Sequence, residues 1–434
     1  MSAEFRQTLK LVLKNRYVIA GLVILAFILY LCVLAFTKYA WVFGKWSDYY
    51  YWEVNYPRFA MPAWISLFTG KNYMPYMRVY VPGNGTNICV FEINYTYNGP
   101  PQDIEFIVNK SATFSVVQLY VITPKGTKLL LDMATTSSNQ VILSIATGQY
   151  AVTNFGTRGS AATFKLFQEG GHGVYRFIVN TGAAKCYGMK VVVMSQVYGL
   201  LGTDMYGRDV WAGIVWGAPI SLMVGVVAAL IAAGIGTAFG ILSGYYGYRG
   251  RVFSKFGKLF VSESLNFAYD IVINFPFLIM LILISIVYGK PSPLEIAVLI
   301  GLFGWGGIAR IVHVISQQTA ACAFIEAEWA LGAPERRIMF KHIVPHVMPY
   351  VLIRTILLIP SAILTEAALA FLGLSDPRYP SWGRMLEIAE RYSLYGNWWI
   401  WIPAGVMIGI TCLAFMFIGR GLEEVINPRI RTLG

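Results

Sequence analysis

Phe324-Ile325-Glu326-Ala327-Glu328-Trp329-Ala330-Leu331-Gly332-Ala333-Pro334, continued by Glu335-Arg336-Arg337-Ile338-Met339-Phe340-Lys341-His342-Ile343-Val344-Pro345, is the stretch on which the fold turns. Its first part reads as a short amphipathic helix. Gly332 and Pro334 end that helix, because glycine permits a tight reversal that other residues resist. A second short helix then runs to Pro345, where a long apolar segment begins. On both sides charges become sparse: Leu294 to Val312, with only Glu295 and Arg310, precedes the stretch, and Val347 to Leu374, with only Arg354 and Glu366, follows it. A rigid helix–turn–helix projecting from an apolar body is a shape that can transmit force from a soluble partner. An ordinary loop with an exposed charged helix is the alternative that the pattern alone leaves open.

The rest of the chain supports the apolar body. Of 434 residues, 56% are hydrophobic and only 13% charged, against about 25% charged in soluble domains. Tyr17 to Phe36 is one run of 20 uncharged residues, about 30 Å as a helix and enough to cross a bilayer. It is too long for a signal-peptide core and no small-residue cleavage site follows, so it reads as an uncleaved anchor. Val210 to Tyr248 is charge-free, with Ile220 to Leu242 its strongest part and rich in Gly and Ala, as in closely packed membrane helices. Ile271 to Tyr288, Leu294 to Val312, Val347 to Leu374 and Asn397 to Ile418 complete six expected spans.

Lys and Arg orient them. Segments 1–16, 245–265, 310–346 and 420–434 carry fifteen basic residues, whereas the short loop after Tyr288 holds only Lys290. The expectation is a cell-membrane protein with both termini cytoplasmic and residues 37–200 outside. The net charge of +12 is then mostly a positive-inside signature plus a mildly basic outer domain, not a footprint for nucleic acid.

Residues 37–200 contain no span and read as strands and turns. Ile88 to Tyr97, Ala112 to Thr123, Lys128 to Met133, Gly173 to Asn180 and Lys190 to Gln196 are β-rich, and Pro124-Lys125-Gly126-Thr127 is a hairpin signal. The expectation is a small β-sandwich inserted between the first and second spans. The expected division is 1–36 (cytoplasmic N-terminus and first span), 37–200 (outer β-rich insertion) and 201–434 (helical core). Three acceptor-type tripeptides, at Asn84, Asn94 and Asn109, fall in the insertion. Cys89 and Cys186 are its only cysteines; a disulfide between them and two buried thiols are both open. Pro62 to Phe68 (PAWISLF) reads either as a short interfacial helix or as domain core.

Enzyme chemistry finds no support. The four histidines, His172, His313, His342 and His346, form no HExxH. His342 and His346 would share a helix face, but Pro345 lies between them and no acid accompanies them, so no metal site is expected. No Gly-x-Ser-x-Gly occupies a strand–turn–helix context, and no GxxxxGK[ST] exists to cradle nucleotide phosphates. Energy for transport would have to come from another subunit.

The 324–345 stretch resembles the EAA loop of ABC importer permeases, whose pattern is Glu-Ala-Ala, three residues, Gly, and later Ile-x-Pro. Glu326, Ala327, Gly332, Ile343 and Pro345 match it, and Glu328 departs, since the family usually has Ala there. Three more stretches resemble the C-type permease of the dipeptide, oligopeptide and nickel branch. They are Leu201 to Asp209 (LGTDMYGRD), Leu364 to Leu374 with Pro380 to Gly383 (LTEAALAFLGL…PSWG), and Gly421 to Arg431 with Asn427 in place of the usual Asp. The resemblance covers 1–36 loosely and 200–434 closely; residues 37–200 are not part of the usual pattern.

The resemblance implies a type I ABC importer permease fold. It further implies a second permease that completes the pathway, two ATP-binding subunits beneath it, and an external substrate-binding protein. ATP and Mg²⁺ would be held by the ATPase subunits and no cofactor by this chain. Glu326 would orient the coupling loop, Ala327 would belong to its first helix, Gly332 would make the reversal, and Ile343 and Pro345 would seat the next helix. Cargo would be di- or oligopeptides, with oligosaccharides and nickel the alternatives among relatives. A secondary transporter or channel, the rival class, should show an internal repeat, and none is clear. Glu366, 12 residues beyond Arg354, is expected toward the outer end where water reaches it, as a gate or pathway residue. Asp204, Gly207, Arg208 and Asp209 are expected to form a local charge-and-cap network before the second span. The insertion would either dock the binding protein or pack on the partner permease.

Overall fold

The computed structural model describes residues 11–252, 256–392 and 396–426. The chain forms two units, one made of residues 48–211 and 392–400, the other of the remaining helical residues. In chain order the elements begin with helices α1 (Arg16–Phe36), α2 (Ala40–Lys45), α3 (Tyr49–Asn55) and α4 (Ile65–Thr69). Strands β1 (Met77–Pro82), β2 (Ile88–Tyr95), β3 (Asp103–Lys110), β4 (Ser115–Ile122), β5 (Lys128–Thr136) and β6 (Gln140–Ser144) follow. Two helices, α5 (Ala151–Phe155) and α6 (Ser160–Gly170), precede β7 (Gly173–Asn180) and β8 (Cys186–Met194).

The helical part continues with α7 (Val210–Val252), α8 (Phe256–Asn274), α9 (Phe277–Tyr288), α10 (Pro293–Gly304) and α11 (Gly306–Ala320). Then come α12 (Ala323–Ala330), α13 (Glu335–Ile338), a π-helical turn (Met339–Ile343), α14 (Val344–Phe371), α15 (Trp382–Tyr392) and α16 (Trp398–Ile426).

The β unit is a sandwich of two four-stranded antiparallel sheets, ordered β1-β8-β3-β6 and β2-β7-β4-β5. Alternation explains the faces: in β4, Ser115, Val117, Leu119 and Val121 point inward and are buried. Val117, Leu119 and Val121 share one core with Phe91, Tyr175 and Phe177 of their own sheet and with Phe106 of the facing sheet. The hairpin signal at 124–127 closes β4 onto β5, with the Thr123 N–H donating to the Thr127 carbonyl at 3.0 Å. A disulfide joins Cys89 on β2 to Cys186 on β8 and so staples one sheet to the other. Strands β1, β3 and β6 and helices α5 and α6 were not among the expected elements. In β3 the run Phe106-Ile107-Val108 is buried on both faces, which erases the alternation that marks a half-exposed strand.

Among the described residues, five helical segments are long and apolar enough to cross a membrane, and six if the bent pair α8–α9 counts as one. Asn15 starts α1 by accepting from the Tyr17 and Val18 N–H groups, and its amide donates to Glu424 on α16 at 2.8 Å. Ser292 and Glu295 form a capping box at α10, with Pro293 in its first turn.

Four expectations need correction. The third span is not one straight helix over Ile271 to Tyr288 but α8 and α9, bent by 76°. Pro276 causes the break, since it disfavours helical backbone in the residue before it. The fourth span is interrupted at Trp305 and extends to Ala320. The second helix of the 324–345 stretch does not end at Pro345, because α13, the π turn and α14 form one helical run from Glu335 to Phe371. The π turn lies just ahead of Pro345, which lacks the N–H that a regular α-helix would bond to the preceding turn, so the widened turn falls where that bond is lost. The stretch between the fifth and sixth expected spans, where no helix is expected, contains α15. Its Trp382, Met385, Ile388 and Ala389 are buried at helical spacing, a period that the sequence displayed.

Candidate functional site

The helix–turn–helix at 323–343 is built on a hydrophobic root. Ile325 of α12, Ile338 of α13, and Met339 and Ile343 of the π turn are buried against Tyr245 of α7 and Tyr269 of α8. Burial of such side chains contributes about 1.5–3 kcal/mol each. At the reversal, Gly332 adopts φ +78°, and the Ala333 N–H returns to the Glu328 carbonyl at 3.0 Å, closing the helix end. Nothing lies within 4 Å of where a Gly332 side chain would start. Glycine is therefore required here by backbone conformation and not by crowding.

A polar brace ties the loop to the end of α7. The buried Tyr245 hydroxyl accepts from Trp329 Nε1 and from Arg249 Nη1, each at 3.0 Å. Arg249 also lies over the Trp329 ring, 5.4 Å from its centroid, and pairs with Glu335 together with Lys258 of α8. Tyr248 stacks on Trp329 and donates its hydroxyl to Glu326 Oε1 at 3.1 Å. Both arms of the reversal, through Trp329 and Glu335, thus converge on α7. Sequence reasoning missed this brace. The cluster Tyr245-Tyr246-Gly247-Tyr248-Arg249 stood in an expected inner segment, but no spacing rule linked it to residues some 80 positions later.

Each matched loop residue has a place. Glu326 is exposed and held by Tyr248, Ala327 is exposed, and Gly332 makes the turn. Ile343 is fully buried in the root, whereas Pro345 is exposed at the start of α14. The unusual Glu328 reaches across the reversal to His342, its Oε1 3.4 Å from Nε2. Beside the reversal Leu331 is 85% exposed, among the exposed charged side chains Glu326, Arg336 and Arg337. The arrangement is a stiff projection that leaves Leu331 and the charged side chains around it uncovered.

Asp204, Gly207, Arg208 and Asp209 lie together ahead of α7. Asp204 is buried and accepts from Arg208 Nε at 2.6 Å, from the Arg208 N–H at 2.9 Å and from the Tyr206 N–H at 2.8 Å. The guanidinium also faces the Tyr206 ring at 4.8 Å. Gly207 takes the tight position of this turn, and Asp209 caps the start of α7 by accepting from the Trp211 N–H at 2.9 Å.

Glu366 is not where water reaches it. Its exposure is 0%, and neither carboxylate oxygen has a hydrogen-bond partner. The cause is α15, which lies directly on α14: a side chain at Gly383 would begin 2.5 Å from Ala367 Cα. Sequence distance from Arg354 located Glu366 along its helix but could not reveal the lid above it. In the β unit, Asn84, Asn94 and Asn109 are all exposed. Of the tail motif, residues 427–431 lie outside the described residues.

This fold and site define a multi-pass helical membrane protein with an inserted β domain and a braced protruding loop. Residues 236–432 match the family described as binding-protein-dependent transport system inner membrane component. The oligopeptide transport system permease protein OppC of Haemophilus influenzae is 35% identical over 245 residues, covering 56% of this chain and 74% of that protein. The dipeptide transport system permease protein DppC of Bacillus subtilis is 35% identical over 232 residues, 53% of this chain and 68% of its own length. OppC of Escherichia coli K12 is 38% identical over 231 residues, 53% and 72%. The chain belongs to this family of transport-system membrane components, and the matched family region begins beyond the sandwich.

Proposed function

We propose that this chain is a C-type permease subunit of an ATP-driven importer of di- or oligopeptides. It lines the pathway together with a second permease. Two ATP-binding subunits hold ATP and Mg²⁺ and engage the 323–343 loop from the cytoplasm, and an external binding protein delivers the cargo. Both termini then lie in the cytoplasm and the β-sandwich outside the cell, where Asn84, Asn94 and Asn109 are available for modification. Closure of the ATPases would push on the loop, and its brace to α7 would pass the displacement into the membrane helices.

The observation that carries this reading is the loop itself, stiffened by Tyr245, Trp329, Arg249 and Glu335 while Leu331 at its reversal stays bare. Peptide cargo is supported by the names of the relatives. The test is purification of the intact complex from membranes. Two nucleotide-binding subunits and a second permease should co-purify, and the associated binding protein should retain peptides. A lone oligomer of this chain would refute the assembly, and retained oligosaccharide or nickel would change the cargo.

A further inference from the structure

We propose that α4 is a lipid-facing foot, by which the β unit rests in the outer surface of the bilayer. The helix is short, Ile65–Thr69, and ends at Gly70 in a left-handed conformation. Two consecutive large side chains are almost wholly bare, Leu67 at 81% exposure and Phe68 at 82%. Leu200, on a separate segment, is 53% exposed. Water is a poor environment for three such groups, and their clustering marks a surface that something covers.

The neighbours identify the cover. The Trp64 indole packs on Trp398 with ring centroids 5.9 Å apart, and on Phe68 at 5.9 Å. Its Nε1–H donates to the Leu200 carbonyl at 2.9 Å, which joins the two apolar segments. Trp398 is the first residue of α16, a membrane span of 29 residues. The head of that span carries Trp398 and the exposed Trp401, and Trp concentrates where a span meets the headgroups. A side chain in contact with Trp398 therefore sits at the membrane–water boundary, and α4 sits there with it. Lys71, exposed directly after Gly70, supplies a cation at the level of the lipid phosphates. Apolar residues followed by a basic one at a span head fit the headgroup–acyl boundary, to a depth of about 5–10 Å. On this proposal, Pro62 to Phe68 would be the interfacial helix of the two readings.

The experiment places an environment-sensitive fluorophore, NBD, at Leu67→Cys and separately at Phe68→Cys. The background has Cys32, Cys322 and Cys412, the unpaired cysteines of the described residues, replaced by Ala. The whole transporter is reconstituted into phosphatidylcholine vesicles. Both positions are exposed, so neither change threatens the fold. The expected result is blue-shifted emission, loss of most intensity to nitroxide lipids labelled high on the acyl chain, less loss to deep labels, and protection from aqueous iodide. Quenching by iodide without quenching by lipid would show the helix standing in water and overturn the proposal. Protection from both quenchers would mean that a protein neighbour covers it, and would overturn it equally.

Discussion

The indole N–H of Trp329 donates to the hydroxyl of Tyr245 across 3.0 Å, tying the first arm of the protruding loop to the end of α7. This bond links the part of the chain that a partner would push to the part that spans the membrane. Tyr245→Phe removes the acceptor of the Trp329 Nε1–H and leaves Arg249 Nη1 with Glu335 alone. A buried donor left unsatisfied costs about 1–3 kcal/mol. The variant should insert and assemble normally but uncouple: ATP hydrolysis in the reconstituted complex persists while substrate uptake falls several-fold. Equal uptake and hydrolysis in variant and parent would remove the brace from the coupling path.

Gly332 offers a graded test. Its φ of +78° excludes most side chains, yet the space around it is open. Asn tolerates this conformation best among the alternatives, and a β-branched residue tolerates it worst, against a general penalty of about 1–2 kcal/mol. Gly332→Asn should retain most uptake and Gly332→Val should lose it. Gly332→Asp, nearly isosteric with Asn, should abolish uptake through its charge at the partner surface, with membrane insertion intact in all three. Transport assays on the series separate backbone strain from surface charge.

The buried Arg208–Asp204 pair predicts asymmetry between single and double replacement. Removing one partner leaves an uncompensated buried charge, at a cost of about 3–5 kcal/mol. Arg208→Met and Asp204→Asn should each lower the thermal unfolding midpoint, and the double variant should recover much of the loss. Additive losses in unfolding scans would contradict the pairing.

Glu105 predicts a pH effect in the β unit. Burial, reinforced by Asp103, raises its carboxyl from the ordinary 4.5 to about 8, against the opposing pull of Arg58 and Lys190. The folded state therefore prefers the protonated form. That stabilisation is complete below about 4.5 and is lost as the pH rises through about 8. Glu105→Gln should match the parent near pH 4.5 and resist limited proteolysis better above pH 8. Identical protection at both ends would exclude the linkage.

The Cys89–Cys186 staple closes a separation of 97 residues. Loops of this length yield about 4–5 kcal/mol in the chain-entropy account. The Cys89→Ser/Cys186→Ser double variant should expose the sandwich to protease under conditions where the parent is resistant, and the parent should lose that resistance under reductant. Protection unchanged by either treatment would show that the core alone suffices.

Much was legible locally. Apolar runs located the spans because a bilayer demands about 20 uncharged residues in a row. The strands with one exposed face, such as Gly173–Asn180, were readable for the same kind of reason: alternation survives when one face meets solvent. Strand β3 was not readable, because burial on both faces removes the alternation. The bend at Pro276 had a local signal that a hydropathy window averages away. Helix α15 also had a readable period, obscured by the expectation of a loop between spans.

The sequence by itself determined that the chain spans a membrane repeatedly, carries a β-rich insertion, and reverses direction at Gly332. Each of these is dictated by near neighbours along the chain: apolar runs, alternation, and a residue without Cβ. Tertiary structure alone decided that Tyr245 and Arg249 brace the reversal, that α15 seals Glu366 from water, and that Trp64 stands against Trp398. Those facts depend on contacts across the tertiary fold, from 16 positions between Gly383 and Ala367 to over 300 between Trp64 and Trp398. Side-chain geometry in three dimensions, and not spacing along the chain, chooses such partners.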